Sequence, residues 1–138
     1  MLLNPSVHSS LSKRPKILVV DDHSLTRITL CRALNYMNYT TVEACNGYVG
    51  LKLFKREKPD VVVTDILMPD KGGLQTILEL RAINPHVTIV AMSGGGARHD
   101  RSFLELAKDL GATLTISKPF RPAEMYALLN TLNTKGEA

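Results

Sequence analysis

Short apolar runs alternate along the chain with segments whose apolar residues recur at helical spacing. The runs are rich in β-branched residues and are bounded by polar or turn-forming residues, which is typical of β-strands. The predicted strands are residues 16–20, 40–44, 60–64, 87–92 and 113–117. The segments between them carry apolar side chains at i, i+3, i+4 and i+7, which predicts helices with one buried face.

Five helices are predicted from these segments, and their apolar stripes are interpreted as core-facing. Four stripes are continuous: Leu30, Ala33, Leu34, Met37; Leu74, Ile77, Leu78, Ala82; Phe103, Leu106, Ala107, Leu110; and Met125, Leu128, Leu129, Leu132. The second helix, about residues 48–57, has a weaker pattern that depends on Leu51 and Phe54.

The alternation of strands and helices predicts a parallel sheet covered by helices on both faces, because each helix serves as a crossover between parallel strands. Only residues 40–44 alternate polar and apolar side chains, which favours an edge position for that strand. We therefore expect an α/β three-layer sandwich with a five-stranded parallel sheet in the order 2-1-3-4-5, the flavodoxin-like winding.

The length of 138 residues favours a single domain with one core. Residues 1–15 are polar and punctuated by Ser and Pro, so we expect a flexible N-terminal arm. The domain is predicted over residues 16–134, followed by a short polar tail at 135–138.

Composition narrows the class of protein further. The chain is 44% hydrophobic and 22% charged, as in ordinary globular proteins, and lacks a convincing signal peptide or a membrane-spanning run. Cys31 and Cys45 match no metal-ligand spacing and indicate reduced thiols. We expect a cytoplasmic protein with no membrane association.

The formal net charge of +4 raises the possibility of nucleic-acid binding. The basic residues are scattered and interspersed with acids, however, and aromatic residues are only 5% of the chain. Nucleic-acid sites usually gather basic side chains on one face and often add aromatics that stack on bases. The charge therefore fits a solvated surface, or attraction of an acidic protein partner, better than a nucleic-acid interface.

Polar residues follow four of the predicted strands where each strand ends. Asp21 and Asp22 follow the first strand, Asp65 the third, Ser93 the fourth and Lys118 the fifth. In the expected winding these ends lie side by side at the carboxyl edge of the sheet, where ligands of open α/β sheets bind. We therefore expect these five side chains to share one pocket.

Three neighbouring carboxylates are costly without a cation, since two unit charges 4 Å apart repel by about 4 kcal/mol at an effective dielectric near 20. Small clusters of hard oxygen ligands suit Mg²⁺. Lys118 and Ser93 could contact phosphoryl oxygens, and Asp65 could be the nucleophile that accepts the phosphoryl group. The pattern predicts phosphoryl transfer through positioning and charge neutralisation.

Each of these residues also has an ordinary structural interpretation. The Asp21–Asp22 pair could cap the next helix, Asp65 could belong to a turn before Pro69, Lys118 could be a surface residue, and residues 93–96 could form a plain loop. The functional interpretation is favoured because residues suited to one phosphoryl-transfer site stand at four separate strand ends.

Four segments in order resemble the receiver domain of two-component response regulators, in particular its chemotaxis-regulator-like form. They are "ILVVDDHS", "VVVTDILMP", "IVAMSGG" and "GATLTISKPF", and the resemblance covers roughly residues 16–133. It implies that Asp65 is the phosphoacceptor and that Mg²⁺ is bound by Asp21, Asp22, Asp65 and the Leu67 backbone carbonyl. It further implies that Ser93 is the switch hydroxyl, that Lys118 contacts the phosphoryl group, and that the Lys118–Pro119 bond is cis.

Two positions depart from the family pattern. Thr115 stands at the switch position, three residues before the lysine, where the family usually has an aromatic residue. We therefore hypothesise that the Gly94–Gly96 loop and the fourth helix carry the conformational switch instead. Leu67, two residues after Asp65, offers no group to orient an attacking water, which predicts slow hydrolysis of the phosphoryl group.

The resemblance implies a single-domain response regulator rather than a conventional enzyme, with self-catalysed phosphoryl transfer and hydrolysis only. The donor would be a phosphohistidine on a histidine kinase or histidine phosphotransfer protein. The output would be a downstream protein bound by the face of helix 4, strand 5 and helix 5, including Arg101, Lys108 and Arg121. Three alternatives stay open: a degenerate receiver that binds partners without phosphorylation, an Asp-nucleophile phosphatase, and a nucleic-acid-binding protein.

Overall fold

The computed structural model describes residues 14–68, 71–94 and 97–137, and side chains within those ranges except at 97–101 and 133–137. Five parallel strands form one sheet in the order β2-β1-β3-β4-β5. The strands are β1 (Lys16–Val20), β2 (Thr40–Ala44), β3 (Val61–Asp65), β4 (Thr88–Ser93) and β5 (Leu114–Ser117). The predicted fold class and strand order are confirmed, with β2 at an edge.

Five helices connect the strands and cover both faces of the sheet. They are α1 (Ser24–Tyr36), α2 (Gly47–Glu57), α3 (Gly73–Ile83), α4 (Ala97–Leu110) and α5 (Pro122–Glu137). Buried side chains of α2, α3 and α4 pack on one face of the sheet, and those of α1 and α5 pack on the other. This gives a three-layer sandwich in which every crossover is a helix.

The central strands explain why their sequences are continuously apolar. Successive side chains of a strand point to opposite faces, so a strand covered on both sides needs apolar residues at every position. In β1, Ile17 and Val19 lie in the layer of α1 and α5, whereas Leu18 and Val20 lie in the opposite layer. In β3 all five residues are buried, including the terminal Asp65.

Five predicted strand boundaries, in three strands, differ from the structure by one residue. β3 and β4 each begin and end one residue later than predicted, and β5 begins one residue later. The shift matters at the carboxyl edge, because Asp65 and Ser93 are the last residues of their strands rather than the first residues of the following loops. Strand pairing therefore fixes the backbone of both.

The predicted core stripe of α3 is partly wrong. Leu78 is 52% exposed and Ala82 is also exposed, whereas Thr76 and Leu80 are fully buried. The inward face consists of Gly73, Thr76, Ile77 and Leu80. The Thr76 hydroxyl donates to the Gly72 carbonyl at 2.9 Å, which satisfies a polar group on the buried side of the helix.

The other stripes agree better with the structure. In α5 Met125 and Leu129 are buried, and Leu128 and Leu132 pack against the same core. In α4 Ala107 is buried but Leu106, expected to face the core, is 43% exposed.

A flexible arm and a polar tail were predicted at the two ends of the chain. Helix α5 continues to Glu137, so residues 135–137, which the sequence assigned to a tail, are helical. Residues 1–13 of the expected arm and Ala138 lie outside the described residues. Within the described part of the chain, no helix is both long and apolar enough to cross a membrane.

The two cysteines are both free, but their environments differ. Cys31 lies in the core between α1 and the sheet, and burial is the main reason why its pKa rises to about 11. Cys45 is exposed after β2. Only Cys31 therefore behaves as the small buried hydrophobe expected from the sequence.

Candidate functional site

The end of β1 places two acids in different environments. Asp21 is fully buried, and its backbone N–H donates to the Ala44 carbonyl at 3.1 Å, which ties it to β2. Its carboxylate accepts from the His23 backbone N–H at 2.9 Å and from Lys118 Nζ at 2.9 Å. The neighbouring Asp22 is exposed. Asp21 is therefore held rigidly, and Asp22 can reach a solvated ligand.

The end of β3 places a third acid beside them. Asp65 is 7% exposed and accepts from Lys118 Nζ at 3.3 Å. Carboxylate oxygens of Asp21, Asp22 and Asp65 all lie within 4.8 Å of one another. The predicted acidic cluster is therefore present, and its oxygens fit the hard ligands that Mg²⁺ prefers.

Lys118 joins the end of β5 to this cluster. Its ammonium contacts both Asp21 and Asp65, and its backbone N–H donates to the carbonyl of Ser93 at 2.7 Å. Ser93 is fully buried as the last residue of β4. The Lys118–Pro119 peptide bond is cis, as the family resemblance implied. Asp21, Asp22, Asp65 and Lys118 therefore come from three strand ends into one site, and the backbone carbonyl of Ser93, at the end of β4, accepts from Lys118.

Gly94 makes the close approach of β4 and Lys118 possible. A Cβ atom at this position would lie 2.8 Å from Lys118 Cβ and 3.1 Å from its Cδ. Any larger residue would therefore push the lysine stem away from the acids. Of the glycines that follow, Gly95 and Gly96 lie outside the described residues.

Burial and charge shift two titratable groups of the site. Burial raises the pKa of the Asp65 carboxyl; the Lys118 ammonium opposes this shift, and the nearby Asp21 carboxylate adds to it. For Lys118, burial alone would lower the pKa, but its hydrogen bonds and charge interactions with Asp21 and Asp65 outweigh burial and raise it. Lys118 is therefore firmly protonated, whereas the charge on Asp65 is disfavoured without a further cation.

A cavity of about 690 Å³ opens beside Asp65 and Lys118. Its walls come mainly from α1 and from the segment after β5, including Leu25, Thr26 and Phe120. Leu25 is 69% exposed, so apolar surface lies next to the acidic cluster. The cavity therefore leaves open space beside the Asp65 carboxylate.

His23 and Arg27 support the site but were not predicted from the sequence. His23, rather than Asp21 or Asp22, is the N-cap of α1, with its ring Nδ1 3.4 Å from the Thr26 backbone N–H. Arg27 donates to the Asp21 carbonyl at 2.7 Å and to Glu43 at 3.0 Å. Arg27 lies one helical turn beyond the cap, a spacing that could have suggested contact with the β1 end.

The structure places the two positions that depart from the family pattern, and their roles stay predictions. Thr115 is half-buried on β5 and pairs with Ala91 of β4. Leu67 is 50% exposed beside Asp65.

The family model of the response regulator receiver domain matches residues 17–130 of the chain. This range includes every strand end of the site. The chain belongs to the response regulator receiver domain family. The resemblance seen in the sequence is thereby confirmed, and the family consists of phosphoacceptor signalling domains rather than conventional enzymes.

Two curated relatives have nearly the same length as the receiver domain. The chain is 31% identical over 105 residues to "Sporulation initiation phosphotransferase F" of Bacillus subtilis, covering 76% of this chain and 82% of that protein. It is 32% identical over 119 residues to "Chemotaxis protein CheY" of Thermotoga maritima, covering 86% and 97%. The chain is also 33% identical to "Probable transcriptional regulator ycf27" of Guillardia theta. This match covers 96% of the chain but only 50% of that relative.

Solved structures have the same fold. A response regulator receiver domain protein from Clostridium thermocellum superposes with a TM-score of 0.79 at 30% identity, covering 88% of this chain and 97% of that one. A CheY-like receiver domain protein from Methanospirillum hungatei JF-1 reaches a TM-score of 0.81 at 21% identity, covering 91% and 98%.

Proposed function

We propose that this receiver domain accepts a phosphoryl group on Asp65 from a phosphohistidine of a histidine kinase or phosphotransfer protein, in a reaction that requires Mg²⁺. The observation that carries the proposal is the convergence of three carboxylates and one ammonium at the carboxyl edge of the sheet. The similarity to a phosphotransferase and a chemotaxis protein supports the same class of function.

The metal would be held by Asp21, Asp22, Asp65 and the Leu67 backbone carbonyl. Once bound, Mg²⁺ supplies positive charge that neutralises the carboxylates and the phosphoryl oxygens. Asp21 suits a fixed ligand because two hydrogen bonds already orient its carboxylate. Asp22 is exposed, which leaves space for water in the remaining coordination positions.

Asp65 would act as the nucleophile. One carboxylate oxygen forms a bond to phosphorus while the P–N bond to the donor imidazole breaks, and the imidazole leaves with that electron pair and takes a proton from water. Lys118 Nζ, now between Asp21 and Asp65, would contact a phosphoryl oxygen. Ser93 would donate its hydroxyl to another, since β4 ends with this residue beside Lys118.

The signal would leave through a protein partner bound at the face of α4, β5 and α5. Lys108 and Arg121 are exposed on this face, which suits an acidic partner. The side chain of Arg101, expected there as well, lies outside the described side chains. The switch would run through the loop after Ser93 and through α4, since Thr115 supplies no aromatic ring.

Incubation with a small-molecule phosphodonor and Mg²⁺ tests this function by intact mass. We expect one phosphoryl adduct on the wild type and on the control Asp109→Asn, whose acid is exposed on α4, and none on Asp65→Asn. An adduct on Asp65→Asn would refute Asp65 as the acceptor. A wild type without any adduct would instead favour a receiver that binds partners without phosphorylation.

A further inference from the structure

Lys71 is a buried lysine outside the acidic cluster. It lies between β3 and α3, and only 7% of its side chain is exposed. Lysine is rarely buried to this extent unless its charge has a partner. Here Nζ donates to Glu79 Oε2 at 2.6 Å, and Gln75 donates to the same oxygen at 2.9 Å. The Lys71 ammonium is therefore buried beside α3, with its charge paired to Glu79.

The same side chain also contacts α2. Its ammonium lies 5.1 Å from the centre of the Tyr48 ring, a distance typical of a cation–π contact. A Cβ atom added at Gly47 would lie 3.0 Å from both Cγ and Cδ of Lys71, so the stem packs closely on the first turn of α2. Lys71 thus joins its own loop to two helices.

This loop also carries the residues that connect Asp65 to the expected metal site. It starts at Ile66, directly after Asp65, and the Leu67 backbone acts to lower the pKa of the Asp65 carboxyl. At its other end the Gly73 N–H donates to the Ile66 carbonyl at 2.8 Å. Lys71 stands two residues before Gly73, so its contacts with Tyr48 and Glu79 connect this end of the loop to α2 and α3.

We propose that Lys71 is a positioning residue that holds the β3–α3 loop, and with it Leu67, in the geometry that binds Mg²⁺. This inference rests on the proposed function, because Leu67 is expected to supply a backbone ligand. A loop already held in place loses little conformational entropy when the ion binds, so its affinity is higher. Residues that orient metal ligands typically change affinity by about tenfold or more when they are mutated.

Calorimetric Mg²⁺ titration of Lys71→Met tests the inference. Loss of the positioning contacts should weaken Mg²⁺ binding, whereas loss of a positive charge should strengthen it. Removal of a positive charge by itself makes an acidic site more attractive to a cation. Lys52→Met removes an equal charge from an exposed position on α2 and measures that effect. We expect Lys71→Met to bind Mg²⁺ about tenfold more weakly than Lys52→Met.

Hydrogen exchange of the metal-free protein provides a second measurement. We expect amide exchange at residues 66–68 to be faster in Lys71→Met and in the milder Glu79→Gln than in wild type, with urea unfolding confirming that each variant is folded. Equal or tighter Mg²⁺ binding by Lys71→Met, or unchanged exchange in both variants, would overturn the role of Lys71. A wild type that binds no Mg²⁺ would refute the proposed metal site itself.

Discussion

Asp65 is a carboxylate whose charge the folded protein disfavours. It is almost fully buried beside Asp21, and burial raises its pKa although Lys118 opposes the shift. Attraction to Lys118 outweighs repulsion by Asp21, so burial is what makes the charge on Asp65 unfavourable. Without Mg²⁺, Asp65→Asn should therefore raise the free energy of unfolding at pH 7.

The pH dependence of the stability gained by Asp65→Asn follows from the raised pKa of the Asp65 carboxyl. Below the ordinary pKa of an aspartate, Asp65 is protonated in both the folded and the unfolded chain and has no effect on stability. As pH rises through the raised pKa of the folded state, ionisation destabilises the wild type. Urea unfolding should show the advantage of Asp65→Asn at neutral pH and its loss in acid, with Asp109→Asn as the control. A variant less stable than wild type at pH 7 would contradict the role of burial.

Leu67 determines how long the phosphoryl group would survive under the proposed mechanism. Its exposed aliphatic side chain cannot orient a water molecule for attack on the acyl phosphate. Leu67→Asn should therefore shorten the lifetime of the phosphorylated protein by about tenfold, since positioning a reactant strongly accelerates its reaction.

The matched control is Leu78→Asn, because Leu78 is 52% exposed, close to the 50% of Leu67, but lies on α3. Decay of the phosphorylated mass in Mg²⁺ provides the measurement. Equal decay of wild type and Leu67→Asn would show that this position does not limit hydrolysis.

At the residue scale, the sequence predicted which side chains meet at the sheet edge better than it predicted the residues that support them. Asp21, Asp65 and Lys118 could be identified because each lies at the carboxyl end of a strand with an apolar sequence. Lys71 could not, because its ammonium contacts Tyr48 and Glu79 on separate helices. Such contacts depend on tertiary packing, which no local spacing records.

Helix α3 starts directly beneath the end of β3, and this contact determines how the two elements pack. A Cβ atom at Gly73 would overlap the backbone of Asp65 and Ile66, whereas one at Gly72 would meet nothing nearer than the Ile66 carbonyl oxygen at 4.0 Å. Gly73→Ala should cost more than about 2 kcal/mol of stability, because α3 or the β3 end must shift. Gly72→Ala should cost no more than about 1 kcal/mol as a poorer N-cap.

Thermal or urea unfolding of the two variants measures the difference. The Gly73 variant should also lose phosphoryl acceptance in proportion to the displacement of Asp65, whereas the Gly72 variant should keep it. Similar stability of the two variants would contradict the close contact between α3 and β3.

The elements themselves followed from hydrophobic periodicity, but the core faces of α3 and α4 were partly misassigned. The strands were predicted to within one residue because the central strands need apolar residues on both faces. The α3 stripe was misassigned because Thr76 and Gly73, which are not hydrophobic, occupy inward positions, leaving Leu78 exposed. A buried glycine or hydrogen-bonded threonine carries no hydrophobic signal.

The whole molecule connects residues that are far apart along the chain. Lys118 and Asp21 form an ion pair across a separation of 97 residues, and Lys118 and Asp65 across 53. The sheet order places β1 and β4 on either side of β3, with β5 next to β4. This order could be predicted because β2 alone has the alternating pattern of an edge strand. The depth of each carboxylate could not be predicted, since it depends on how the loops close over the strand ends.

The central claim is that Asp21, Asp22 and Asp65 act together as a site for one divalent cation. Calorimetric titration with Mg²⁺ at fixed ionic strength tests it most directly, using wild type, Asp22→Asn and Asp109→Asn. We predict binding to a single site in wild type and in Asp109→Asn, and at least about tenfold weaker binding in Asp22→Asn. A flat titration of the wild type, or equal binding by Asp22→Asn, would contradict the claim.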